Sequence, residues 1–211
     1  MNKDIIKALN WRYATKVFDP SKIVSEEDLY TILESARLSP SSIGAEMWKF
    51  IVVTNKKIRE KLRDAGYNQP QITDASHLIV LTHRTDIVEN LTKEKIERTA
   101  KIQNTSESNL EGLKSFLENS VTQKIQGGNL ESWIRSQVYI PLGMMIETAA
   151  LLEIDSCPME GFEQDKFDEI LELKEKNLKS ITMLPVGYRG DDSASKRPKV
   201  RRDFNDVVEF I

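Results

Sequence analysis

Residues 195 to 202 read SKRPKVRR, five cations in eight positions of a chain whose formal net charge is −3. Pro198 fixes its own φ and steers Arg197 toward extended structure. In an extended segment Lys199 and Arg201 project to the same side. A second cationic pair, Arg12 and Lys16, stands near the other end in WRYATK. Chain termini often lie close together, and if these do, four positive charges converge on one small anion. A phosphate monoester, with a charge of about −1.5 to −2 and oxygens that fit the Arg fork, is the matching chemistry. Spacing alone favours a plainer reading, a solvated basic surface. A nuclear-localisation or RNA-binding patch also meets it, although the acidic balance of the whole chain argues against broad nucleic-acid binding.

Two further loops carry unusual content: SPSSIG, with three hydroxyls and a glycine at a helix end, and PMEGF, which places Glu160 after a short strand. In isolation the first reads as a helix-terminal loop and the second as a solvated carboxylate. His77 and His83 flank LIVLT six residues apart and share a strand face, but no third ligand accompanies them, so no metal is expected. The single cysteine, Cys157, excludes an intramolecular disulfide and reads as a small buried hydrophobe. Neither G-x-G-x-x-G nor the P-loop pattern occurs. No Ser-His-Asp or Cys-His nucleophile is in sight.

These residues need elements to position them. A length of 211 residues, 39% hydrophobic and 30% charged, fits one domain spanning 1–211. Ile5, Ile6 and Leu9 are spaced for a first helix. Ser25 is a plausible N-cap for a second, with Leu29, Ile32, Leu33 and Ala36 on one face. FIVVT and HLIVLTH read as buried strands, separated by a helix through Ile58 and Leu62 that Gly66 stops. YNQPQITDA reads as loop. From about 85 to 128 the pattern is polar, helical and weakly amphipathic, an excursion over the surface ended by Gly127 and Gly128. Leu130 to Leu152 is a long apolar helix with a kink expected at Pro141, either a core helix or a dimer seam. IDSCP, a helix over 162–173, the strand ITMLPVGY and a terminal strand DFNDVVEFI with no obvious partner inside its own chain complete an α+β or α/β pattern. With no long apolar run and no signal-like N-terminus, a soluble cytoplasmic protein is expected.

Taken in order, R-x-x-T-K, S-P-S-S followed by Trp48, D-A-S-H, Q-V-Y, P-x-E-G-F and P-K-x-R resemble the FMN-dependent nitroreductase family over nearly the whole chain. The likeness is nearest to its oxygen-insensitive NAD(P)H and dihydropteridine-reductase-like members. The resemblance implies an α+β three-layer fold with a central, mostly antiparallel sheet flanked by helices. It also implies an intertwined homodimer that exchanges C-terminal strands. FMN binding then falls to Arg12, Tyr13, Ala14 and Lys16, to Asn68 and Gln71, to Pro158, Glu160 and Gly161, and to Lys199 and Arg201. The partner subunit contributes Pro40, Ser41, Ser42 and Gln137. Lys16 lies by the N1/O2 side of the ring, where a cation favours reduction. Ile43, Phe116 and Leu117 fall where substrate is expected. The family commonly shows Asn-x-Gln-Pro-Trp after the double serine, where this chain has Gly44-Ala45-Glu46-Met47-Trp48. The implied activity is ping-pong reduction of nitroaromatic, quinone or similar flat acceptors by NADH or NADPH. A non-catalytic FMN holder and a small-anion or RNA-binding domain are the rivals.

Overall fold

HLIVLT is apolar at every other position and at the positions between, which is the pattern of a strand covered on both faces. In the computed structural model, which describes residues 3–211, it lies in β2 (His77–Arg84). The other strands are β1 (Trp48–Val53), β3 (Asp155–Ser156) and β4 (Leu178–Gly187). They form an antiparallel sheet in the order β1-β2-β4-β3. Around it lie α1 (Lys3–Trp11), α2 (Glu26–Arg37), α3 (Lys56–Ala65), α4 (Gln71–Asp74), α5 (Ile87–Gln103), α6 (Glu111–Gln126), α7 (Leu130–Leu151) and α8 (Gln164–Ile170). Leu78 and Val80 pack into one core with Leu62 of α3 and Phe167 of α8. Ile79 and Leu81 pack into another with Ile32 of α2 and Val138 and Met145 of α7. The result is the expected α+β fold, with helices on both faces of an antiparallel sheet.

Local sequence explains most boundaries. The Ser25 hydroxyl accepts from the Asp28 N–H and caps α2, and Asn55 does the same for α3 through Ile58. Gly66 ends α3 as expected, but its φ of −99° is not left-handed; Tyr67 and Asn68 carry the positive φ values instead. Glycine is required at 66 for space, since a Cβ there falls 2.2 Å from Ile72 Cδ1 and 2.9 Å from the Leu62 carbonyl. The loop expected over 67–75 contains α4, which Pro70 introduces.

One expectation changes and two are filled in. The 85–128 excursion is helical, but it is more than surface: Ile87, Leu91 and Val121 bury with Ala45, Met47 and Ile134 as a third core. Helix α7 runs unbroken through buried Pro141; it turns one stripe inward and leaves Tyr139, Ile140, Met144 and Leu151 partly exposed. The C-terminal segment forms no strand within its own chain, only a short 3-10 turn at Phe204–Asp206. An extended segment without a ladder partner leaves its backbone to water, and Val200, Phe204, Val207 and Phe210 stay exposed. Among the described residues no helix is long and apolar enough to cross a membrane.

Candidate functional site

The two ends of the chain meet. After α1 the segment 12–18 runs beside β3 and the end of β4, with bridges pairing Ala14 with Ser156 and Phe18 with Arg189. From the other end, the Lys199 ammonium donates to the carbonyls of Leu9 (2.6 Å) and Arg12. It thereby caps the negative C-terminal end of α1. Arg12 is half-buried, and burial first, then Arg201, push its guanidinium below its ordinary pKa. Burial, then Arg12 and Arg201, depress Lys199 in the same way. Three cations therefore crowd one another, and Arg12 Nε is buried without a hydrogen-bond partner. The charge and the unpaired donor of such a cluster suit an anion. Lys16 Nζ approaches Cys157 Sγ at 3.9 Å, which brings the fourth cation over the 157–161 segment. Burial raises the Cys157 thiol pKa against the pull of Lys16 and Arg12.

Three residues that sequence reasoning did not single out hold this arrangement. Asp192, 5% exposed, accepts from the Tyr13 hydroxyl (2.9 Å) and from the backbone N–H groups of Lys16 (2.7 Å), Val17 (3.2 Å) and Ala194 (2.8 Å). Burial works to raise its pKa, but those hydrogen bonds outweigh it and the carboxyl lies below its usual value. Burial and the bond to Asp192 push the Tyr13 phenol up to about 12. Buried Asp155 accepts from the Thr15 hydroxyl (3.1 Å) and from Arg189 N and Nε (both 2.9 Å). The Arg189 guanidinium in turn lies 4.2 Å from the Trp11 ring centre and 4.8 Å from that of Tyr13. The available signal was the GYRGDD stretch at the end of a strand; the N-terminal partners of Asp192 lie more than 170 residues away.

The remaining expected residues fall into two groups. Gln69 Nε2 donates to the Gly161 carbonyl at 2.7 Å, which ties the loop of Asn68 and Gln71 to the Pro158–Gly161 segment and so to the cations. Gln71 is 6% exposed and its Oε1 has no donor. Behind it, buried Arg59 donates to the carbonyls of Ile72, Ala75 and Ser76 and fixes the loop. The Glu160 carboxylate faces the Tyr139 hydroxyl on α7. The second group pairs within itself: the Ser42 N–H donates to Gln137 Oε1 at 2.8 Å, and the Ser41 hydroxyl accepts from the Glu46 N–H. Pro40 precedes them, exposed, and Ile43 follows with φ 54°. Phe116 is half exposed, whereas Leu117 is fully buried. As a side chain closed off in the interior of the helical excursion, Leu117 presents no surface to a substrate, which corrects the expectation for it.

The Nitroreductase family model matches residues 9–188. The chain is 39% identical over 221 residues to "Putative NAD(P)H nitroreductase YfkO" of Bacillus subtilis, covering 100% of this chain and 99% of that one. It is 38% identical over 220 residues to "Putative NAD(P)H nitroreductase SH0546" of Staphylococcus haemolyticus, with the same coverage. Among solved structures, a nitroreductase-like protein of Streptococcus mutans matches over the full length of both chains with a TM-score of 0.86 at 22% identity. A "putative nitroreductase in complex with FMN" from Exiguobacterium sibiricum matches with a TM-score of 0.83 at 19% identity, over 100% of this chain and 99% of that one. The chain belongs to the nitroreductase family.

Proposed function

We propose that this protein is an FMN-dependent oxidoreductase that takes electrons from NADH or NADPH and reduces flat, electron-poor acceptors such as nitroaromatics and quinones in ping-pong turnover. The observation that carries the reading is the cluster of Arg12, Lys199 and Arg201, like charges held together with the Arg12 Nε donor unpaired. A phosphate dianion fits it in charge and in donor geometry. Gln71 Oε1, buried without a donor, fits the imide N–H of a flavin ring.

When bound, FMN supplies the relay of a hydride from the nicotinamide to the acceptor. The chain's residues orient and tune it. Arg12 and Arg201 hold the phosphate; Lys199, with N–H groups on the carbonyls of Leu9 and Arg12, keeps Arg201 beside Arg12. Lys16 sets a cation at one edge of the ring and so favours electron uptake. Tyr13 and Ala14 line the ring with backbone, and the Pro158–Gly161 segment runs along the opposite edge, where the backbone N–H of Glu160 is the donor. Asn68 and Gln71 take the pyrimidine edge. No acid–base triad is required.

The second group belongs to the partner half of the site. Pro40, Ser41, Ser42 and Gln137 of one copy complete the flavin site of the other, with Ile43 and Phe116 facing the acceptor. A homodimer is supported by the apolar stripe on α7 and by the tail. β1 is an edge strand beside a groove of about 590 Å³ lined by Trp48, Phe50, Arg37, Lys49, Arg98 and Lys176 among others. The tail carries Phe204, Val207 and Phe210 between Asp203, Asp206 and Glu209, a complement to that groove in both polarity and charge.

Anaerobic titration of the purified protein with each nicotinamide tests the reading. Flavin absorbance is expected to bleach with at least one of them and to recover on adding an acceptor. A colourless protein that takes up no added FMN ends the reading. A yellow protein that neither nicotinamide bleaches is instead the non-catalytic FMN holder.

A further inference from the structure

We infer that Asp192 is a positioning residue that preassembles the phosphate clamp by gripping both terminal arms with one carboxylate; the inference rests on the FMN reading above. The clamp poses a physical problem. Arg12, Lys199 and Arg201 repel one another, and no carboxylate is recorded against any of the three in a hydrogen bond or ion pair among the described residues. Something must hold the arms in place before the anion arrives, or the anion's binding energy goes into gathering them.

The backbone ladder does part of this. Val17 and Asp19 pair with Gly190 and Tyr188, which fixes residues 17 to 19. Ala14 and Thr15 are tied to Ser156 and Asp155 of β3, and Asp192 reaches the residues on either side of them. Its Oδ2 accepts three bonds from the N-terminal arm, from Tyr13, Lys16 and Val17. Its Oδ1 accepts from Ala194 N–H and caps the 3-10 turn Ser193–Lys196 that leads to Lys199 and Arg201. One buried side chain thus sets the start of the C-terminal arm against the residues that follow Arg12.

The sign of one substitution separates positioning from simple charge. A carboxylate near a phosphate opposes its binding, so if Asp192 acted only through charge, Asp192→Asn would tighten FMN. If it organises the clamp, the same change weakens FMN. An amide has one acceptor oxygen: facing the three N-arm donors, it turns its NH₂ toward the Ala194 N–H; flipped, it turns NH₂ toward the three.

The experiment titrates apoprotein with FMN and, separately, with riboflavin, which lacks the phosphate. For Asp192→Asn the FMN dissociation constant is expected to rise roughly tenfold, the scale of one hydrogen bond to a charged group, while riboflavin changes about threefold or less. Tyr13→Phe keeps the ring, deletes one donor and moves FMN the same way by roughly threefold. It carries the test if the Asn variant does not fold. Unchanged or tighter FMN binding overturns the inference, as does an equal loss for both ligands, the mark of general loosening. A wild-type protein that binds neither ligand removes the flavin reading and this inference with it.

Discussion

Arg201→Ala isolates the clamp because Arg201 is exposed and its one recorded hydrogen bond is to the carbonyl of its neighbour Val200. A bond from a guanidinium to a charged acceptor contributes about 1.5–3 kcal/mol. Solvent screening at an exposed site moves that toward the lower half. Relief works in the opposite direction in the free protein, because Arg201 depresses both Arg12 and Lys199. A net loss of about 2 kcal/mol corresponds to about 30-fold in the FMN dissociation constant. Quenching of FMN fluorescence during titration of apoprotein reads this directly, and the difference between variant and wild type should shrink as salt is raised. The same relief predicts that the melting temperature without ligand is unchanged or slightly higher in the variant. A shift in FMN affinity of less than threefold, or an apoprotein that melts markedly lower, would refute the claim that Arg201 is placed for an anion.

Gly66→Ala drives a methyl into Ile72 and the Leu62 carbonyl; a loss of about 2 kcal/mol is expected, read as a lower urea midpoint with an unchanged slope. Removing residues 203–211 exposes the β1 edge in the proposed dimer, and light scattering should then report monomer where the full chain reports dimer. Asp192 has a folded-state pKa below its unfolded value of about 3.9. Its contribution is therefore complete above about pH 5 and is lost as pH falls through the folded value. Acid melts of Asp192→Asn should accordingly fall less steeply between about pH 5 and pH 3 than those of the wild type.

The layers of this fold were legible because β2 and β4 carry the apolar stretches LIVL and MLPV and because Ser25 caps its helix with a local hydrogen bond. The cationic ends were legible as residue types, and their convergence followed from a resemblance carried by motif order. What lay hidden depends on distant partners. Asp192 is one acidic residue in a polar turn until Tyr13 is folded against it, and Asp155 looks like a strand-end residue until Arg189 and Thr15 reach it. Gly66 was legible as a helix stop, but sequence cannot display that the need for glycine there comes from crowding by Ile72 and the Leu62 carbonyl. The tail was legible to the same limit: its apolar and acidic residues suit a strand, and its own chain provides no neighbour for one.

Glu46 gives the departure from the family pattern a physical meaning. Gly44 and Glu46 have φ values of 63° and 49°, and Ile43, a β-branched residue, is at 54°. A non-glycine residue there costs about 1–3 kcal/mol and persists only where its surroundings over-determine it. The surroundings are specific. Ala45 and Met47 are buried in the core shared with α5, α6 and α7, Ser42 is bonded to Gln137, and the Glu46 carboxylate lies 3.3 Å from Arg98 and 3.8 Å from Lys95 of α5. Each of those half-exposed ion pairs is weak alone. Together with the buried pair they hold the strained turn between Ser42 and Trp48, so the helical excursion is what keeps this loop in shape. That is why a segment with weak amphipathicity has a core of its own: its inward residues are few, and they are the ones that bear on the loop.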